Sequence, residues 1–439
     1  MVLVFMLRSI RLFINIFFNY NIIILFILPF FFYGCETMPN QNNRINQIQK
    51  QDNEIGFIKA KINSSLPSIK VGLLLPLSGE NSTVGKSLLR AAQLSLAKTQ
   101  NKDIKLIIKD TQSINKNIIR SYYELINENV DIILGPVFTD NIKLISPLSI
   151  DEEKIMITFS NNTEIKNKNT FISGTTPENE IVEIFRYALS KGKRKFAIIL
   201  PNNNYGKRSK KLIENLLKIN NGEVSKIVFY EPADPDFYQV SKIIANYDSR
   251  KIKLSDKLDE LKENGSPAAL KEYDSLKNKD TLGELDFESL YIGVESIKHL
   301  SMITSVLPYY DVDPKEVLYL GNSLWSNNIA AKEPALEKGV FPDTEHINYE
   351  FFRSSYFNTF NNKPHKIASL AYDLVGLISA MQLNNQKPSF DNLVNKTGFI
   401  GSKGLFRFKA DGNIERSLTI YQIRNEKINV IQKADLNFN

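Results

Sequence analysis

Cysteine is all but absent: Cys35 is the only one in 439 residues. An intramolecular disulfide is therefore excluded, and with it a small scaffold held together by bridges. Histidine is scarce as well. His299, His346 and His365 lie far apart in sequence, no HExxH pair links them, and no GxSxG serine motif occurs. Without a visible nucleophile–base pair or a metal-spaced cluster, the chain reads as a non-enzyme with no cofactor and no metal. An excess of one charge is also missing. Against 55 Lys and Arg stand 48 Asp and Glu, a formal +7 spread over the whole chain. There is no basic block and no interleaved aromatic platform, so nucleic-acid binding has no footing. A phosphate loop is lacking too, although Gly79, Gly85, Lys86 and Ser87 imitate one. Five residues separate these glycines where the motif takes four, and the extra residue disturbs the nest of N–H groups that cradles phosphate.

What is there begins with a signal. Arg8 and Arg11 precede an apolar stretch from Leu12 to Tyr33, densest over Ile22 to Phe32, with no acid before Cys35. That is a basic n-region followed by an h-region, and it directs export. Asn15, Asn19 and Asn21 interrupt the first part, which leaves a run nearer to a signal core than to a spanning helix. Phe32-Tyr33-Gly34-Cys35 resembles a bacterial lipobox, with Phe where Leu is usual. The resemblance implies a signal peptide over 1–34 and a diacylglycerol on the Cys35 thiol, which holds the body at a membrane. Glu36 stands where inner-membrane lipoproteins often carry Asp, so the resemblance favours the periplasmic side of the outer membrane. The other reading is an uncleaved anchor with an idle thiol. Residues 35–67, rich in Asn, Gln and Lys, read as a flexible tether that reaches roughly 30 Å on average.

From residue 68 the pattern is α/β. Val71 to Leu75 is an unbroken apolar run, as a strand covered on both faces requires. Pro76, Ser78 and Gly79 break it. Ser82 or Thr83 is expected to cap the next helix, whose stripe is Val84, Leu88, Ala92 and Leu96. Strands at Ile104 to Ile108, Asp131 to Leu134 and Ile155 to Phe159 alternate with helices at Asn117 to Ile126 and Asn141 to Leu148. After Gly174-Thr175-Thr176-Pro177 the alternation starts again and runs to Leu320, with later helices at Tyr349 to Phe360 and Ile367 to Leu383. The segments Leu405 to Phe408, Leu418 to Ile423 and Ile428 to Ile431 read as one antiparallel meander. Charge-dense residues 248–284 interrupt the rhythm with two apolar stripes at helical spacing around Gly265-Ser266-Pro267, an inserted helical hairpin. It is either a solvated flap or a partner-binding surface.

Taken together, several motifs resemble type I periplasmic-binding proteins of the leucine-binding kind. They are LLLPLSG in the opening unit, ILGP at Ile133 to Pro136, Tyr205-Gly206 after LPNNN, and Ala371-Tyr372-Asp373. Inside that match, YYDVDP at Tyr309 to Pro314, LGNSLW at Leu320 to Trp325, EPAL at Glu333 to Leu336, PHKIASLAYD at Pro364 to Asp373 and the Gly398 to Arg424 stretch are similar to penicillin-binding-protein activator lipoproteins of alphaproteobacterial type. The resemblance implies two Rossmann-like lobes joined by three crossovers around a cleft. The first lobe is expected over 68–176 plus 342–396, and the second over 177–341 plus 397–435.

Amino-acid binders of this fold hold the ligand carboxylate with hydroxyls and N–H groups of the first lobe and its ammonium with an acid of the second. Strand ends here offer Ser78, Thr139, Ser160, Asn161 and Asn162 in the first lobe and Tyr205 and Glu295 in the second. The same residues serve equally as loop caps and, for Glu295, as a charge facing a helix dipole. Val137-Phe138 and Phe159 depart from the small residues usual at these places, and a bulky Phe is expected to fill the carboxylate pocket. Two functions therefore stand open. One is a lipid-anchored interaction module that regulates a peptidoglycan synthase, a penicillin-binding protein. The other is a solute receptor for an ABC importer of amino acids or similar small molecules.

Overall fold

Ile69–Leu75 (β1) lies at the centre of the first lobe, with every residue but Lys70 buried. The computed structural model describes residues 68–438 other than Ser113 and Glu345; the signal, Cys35 and the tether lie outside the described residues. From β1 the chain runs through Ser82–Thr99 (α1), Ile104–Asp110 (β2), Asn115–Asn127 (α2), Ile132–Leu134 (β3), Thr139–Asp151 (α3), Met156–Thr158 (β4) and Thr170–Ile172 (β5). The strands are parallel in the order β2-β1-β3-β4-β5. The order reverses beside β1, which places a crevice at the carboxyl ends of β1 and β3. No side chain caps α1: it starts at Ser82, so Asn81 occupies the cap position and makes no capping bond.

The second lobe repeats the scheme with Pro177–Ser190 (α4), Lys195–Pro201 (β6), Asn204–Ile219 (α5), Glu223–Tyr230 (β7), Phe237–Ile244 (α6), Tyr247–Asn264 (α7), Pro267–Leu276 (α8), Ser289–Ile292 (β8), Ile297–Val306 (α9), Leu318–Leu320 (β9) and Val340–Asp343 (β10). Alternate residues of β6 feed two cores, Ala197 and Ile199 into one and Phe196, Ile198 and Leu200 into the other. That is how a strand with helices on both faces reads as a continuous apolar run. Each lobe opens with the same device. A Cβ on Gly85 would sit 2.1 Å from the Pro76 carbonyl oxygen, and one on Gly206 1.9 Å from that of Pro201. Only glycine lets the helix start so close to the strand exit, and this is the structural role of the glycine that imitates a phosphate loop.

His346–Phe360 (α10) and Ala368–Leu383 (α11) return to the first lobe, where Phe352, Tyr356, Ala371 and Leu374 join its core. The tail then divides. Phe399–Gly401 (β11), Gly404–Phe408 (β12) and Ile414–Arg416 (β13) form a separate antiparallel sheet whose Phe406, Phe408 and Ile414 pack into the first lobe. Thr419–Arg424 (β14) and Lys427–Gln432 (β15) instead extend the second sheet to the order β15-β14-β10-β9-β8-β6-β7. The expected single meander is thus two structures, and 397–435 is shared between the lobes rather than lying in the second. The physical reason is β10. VFPD is short, and its outer neighbour β14 must cross from the other lobe to cover it, with Phe341 stacked on Tyr421 at 5.7 Å. The chain passes between the lobes at 173–176, at 344 and at 417–418.

Helices α7 and α8 are the inserted hairpin. Gly265 turns it at φ +60, and Ser266 caps α8 through the Ala269 N–H at 3.2 Å. Leu254, Leu261, Ala269 and Leu276 form a small core of their own, apart from the lobe cores. Arg250 fastens its base by donating to the Gly283 carbonyl at 2.8 and 3.1 Å and by pairing with Asp311 at 3.4 Å. Ile252 and Leu270 remain exposed at 61% and 49%.

Candidate functional site

Most strand-end candidates are engaged by neighbouring residues. Ser78 donates its hydroxyl to Asp110 at 2.6 Å, and the same carboxylate receives the N–H groups of Leu77 and Gln112 at 2.8 Å. Burial opposes ionisation of Asp110, but these bonds win and hold its carboxyl below the ordinary range. Ser160 is buried, and its hydroxyl accepts the Asn162 N–H at 3.1 Å. Asn162 in turn caps a turn through the Glu164 N–H at 3.0 Å and reaches toward the Thr139 hydroxyl at 3.5 Å. In the second lobe Glu295 accepts from the Asn203 amide at 2.7 Å, and the Tyr205 hydroxyl lies 3.5 Å from that of Tyr291. Burial pushes the Tyr205 phenol up, so it stays protonated.

A cavity of about 340 Å³ lies between the lobes, and Asn161 is the one candidate of the seven that lines it. Its walls come from Phe159 and Leu370 of the first lobe, Glu180, Ser323 and Asp343 of the second, Thr175 and Thr344 of the connections, and Lys366 and Lys403. Glu180 is its most unusual group. Thr176 caps α4 and Pro177 occupies its first position, which sets Glu180 one turn in, on the buried stripe with Ile184 and Ala188. The carboxyl accepts the Ser323 N–H at 3.0 Å and its hydroxyl at 2.6 Å. Burial pushes its pKa up to about 7, the Asp343 charge adds to this, and the Ser323 bonds oppose it. The side chain therefore changes charge near neutrality. Across the cavity Lys403 donates to the Lys366 carbonyl at 3.3 Å and sits 5.0 Å from the Tyr349 ring. Burial, with Arg416 nearby, lowers its pKa.

Behind Lys403 the AYD and GSKG motifs meet. Asp373 accepts the Ser402 N–H at 2.7 Å and its hydroxyl at 3.0 Å, and a Cβ on Gly401 would press within 2.6 Å of that carboxylate. This bond fixes the β11–β12 turn on α11. Glu180 is not among the strand-end candidates because it lies inside a helix. Its signal in the sequence is an acid one helical turn ahead of Ile184 on an otherwise apolar stripe. Lys366 and Lys403 fall inside recognised motifs that assign them no place in a site.

The histidines are scattered. His365 donates its backbone N–H to the Ser87 hydroxyl at 2.8 Å, and His299 meets Tyr230 edge-on at 5.6 Å. Among the described residues no group of three His, Cys, Asp or Glu could hold a metal, and no helix is long and apolar enough to cross a membrane. The arrangement can enclose a small polar molecule.

Residues 68–247 match the family model described as periplasmic binding protein. The uncharacterized protein RP748 of Rickettsia prowazekii (strain Madrid E) is 26% identical over 166 residues, which cover 37% of this chain. The match spans 43% of that relative's length. Among solved structures, a protein assigned to branched-chain amino acid ABC transport in Rhodospirillum rubrum superposes with a TM-score of 0.64 at 16% identity, covering 83% of this chain and all of that one. A branched-chain amino acid ABC transporter ligand-binding protein of Burkholderia xenovorans gives 0.59 at 14%, covering 84% of this chain and 93% of that one. The LivJ protein of Streptococcus pneumoniae, solved with isoleucine, gives 0.51 at 18%, covering 83% and 100%. The chain has the type I periplasmic-binding-protein fold.

Proposed function

We propose that the chain is a periplasmic, lipid-anchored binding-protein-like module that regulates a peptidoglycan synthase by protein contact. The observation that carries this reading is that the Ser78 hydroxyl, a donor an amino-acid binder would offer in the cleft, is already committed to Asp110. Phe159 is buried next to Ser160 in the chain, where small residues would leave room. A ligand carboxylate entering there must break bonds that it can only replace, so net affinity is small. The motifs from Tyr309 to Arg424 support the synthase as partner, and the export signal with Cys35 supports the anchor. The inserted hairpin, which completes its own core and still exposes Ile252 and Leu270, suits a contact surface.

The solute-receptor reading has in its favour the interlobe cavity with its opposed Glu180 and Lys403, and the likeness of the fold to ABC-transport binding proteins. In-cell photo-crosslinking from position 270 separates the two. Capture of a penicillin-binding protein supports regulation of a synthase, and capture of an importer permease overturns it in favour of solute uptake.

A further inference from the structure

Two polar contacts cross from lobe to lobe near the carboxyl ends of β4 and β6. Arg208, one turn into α5, pairs through Nη1 with Glu164 of the first lobe, and its Nε lies 3.7 Å from Glu178 in the first turn of α4. Thr163 of the first lobe donates its hydroxyl to the same Glu178 carboxylate at 3.0 Å. Both mounts are anchored. Ile165 is buried in the first-lobe core and Asn162 caps the 163–165 turn through the Glu164 N–H at 3.0 Å, which fixes the backbone that carries Glu164. Across the gap Ser209, Ile213 and Leu217 bury the inner face of α5 and leave Arg208 at its edge. Thr163 and Glu164 precede the chain passage at 173–176, while Glu178 and Arg208 follow it. The contacts therefore close a loop across that passage.

The Arg208 and Glu164 side chains are 37% and 44% exposed, so salt screens the pair, and it shifts an equilibrium by no more than about fivefold. That is too little to hold a fold. It is enough to bias a hinge, whose arrangements differ by small free energies. We infer that Glu164, Arg208, Glu178 and Thr163 form a strap that fastens the lobes through the chain's own side chains, so that ionic strength, without any ligand, shifts them between this arrangement and a more open one. The strap is distinct from the interlobe cavity, since none of its four residues lines that space.

The test places spin labels at Glu80→Cys in the first lobe and Lys298→Cys in the second, both exposed, in the full-length chain with the native thiol removed by Cys35→Ser. Pulsed electron resonance then reads the lobe separation at about 0.02 M and about 1 M sodium chloride. In this background the longer distance should gain up to about fivefold in population at high salt. Glu164→Gln and Arg208→Met, both on half-exposed residues and so compatible with folding, should show that gain already at low salt and no longer respond to added salt. The double variant should match either single one, because each change cuts the same bond. Lys207→Ala, which removes the exposed neighbouring cation on α5, should behave as the background does. A background distribution unmoved by salt, shifts that add in the double variant, or an equal shift in Lys207→Ala would overturn the strap.

Discussion

Replacing Glu180 by Gln should turn a pH-dependent stability into a flatter one, and the size of the effect follows from its environment. An unfolded chain ionises this carboxyl near its ordinary value of 4.5, whereas burial in the folded protein pushes it up to about 7. The folded state thus binds more protons across that interval, so stability is fully present below the unfolded value and is lost as pH rises through the folded one. At 1.36 kcal/mol for each pH unit of displacement, the full penalty of ionising Glu180 in place is about 3 kcal/mol, reached above pH 7. Gln keeps the shape, can accept from the Ser323 N–H, and has no charge to bury. Urea unfolding of the wild type and Glu180→Gln at pH 5, 6, 7 and 8 isolates the contribution, because every other titrating group appears in both proteins. The variant should be within about 1 kcal/mol of wild type at pH 5 and more stable by about 2 to 3 kcal/mol at pH 8. A difference that does not change with pH would refute the buried, half-ionised Glu180.

Gly206→Ala should cost on the order of 3 kcal/mol or prevent folding, since its Cβ would meet the Pro201 carbonyl at 1.9 Å; denaturant titration measures it. Exchanging residues 248–284 for a short Gly/Ser bridge should lower stability by less than about 2 kcal/mol in calorimetry, because the hairpin core is its own. The same deletion should abolish synthase capture, and retained capture would discard the hairpin as the contact surface. Cys35→Ala should release the protein from membranes or leave a precursor, as fractionation and the mass of the mature N-terminus will show.

Periodicity made most of the fold legible. β2 at Ile104–Asp110 and α2 at Asn115–Asn127 fall within two residues of where the apolar pattern put them. β10 escaped notice because four residues containing Pro342 carry no alternation, and β13 because Ile414–Arg416 is only three residues long. Missing those two strands made the tail look like one sheet. For the site, strand ends indicated the cleft but not which side chains face it. Ser78 is taken up by Asp110 and Glu295 by Asn203, long-range bonds that spacing cannot reveal, and Glu180 and Lys403 come together from positions more than two hundred residues apart.

Whether this fold regulates a synthase rather than carries a solute is tested most directly by reconstitution. The purified penicillin-binding protein recovered by crosslinking would be assayed for glycan polymerisation and crosslinking with increasing amounts of this protein. Regulation by contact predicts a saturable change in synthase rate that disappears when residues 248–284 are removed. A synthase rate indifferent to the protein, together with tight binding of isoleucine or another amino acid in the interlobe cavity, would contradict it.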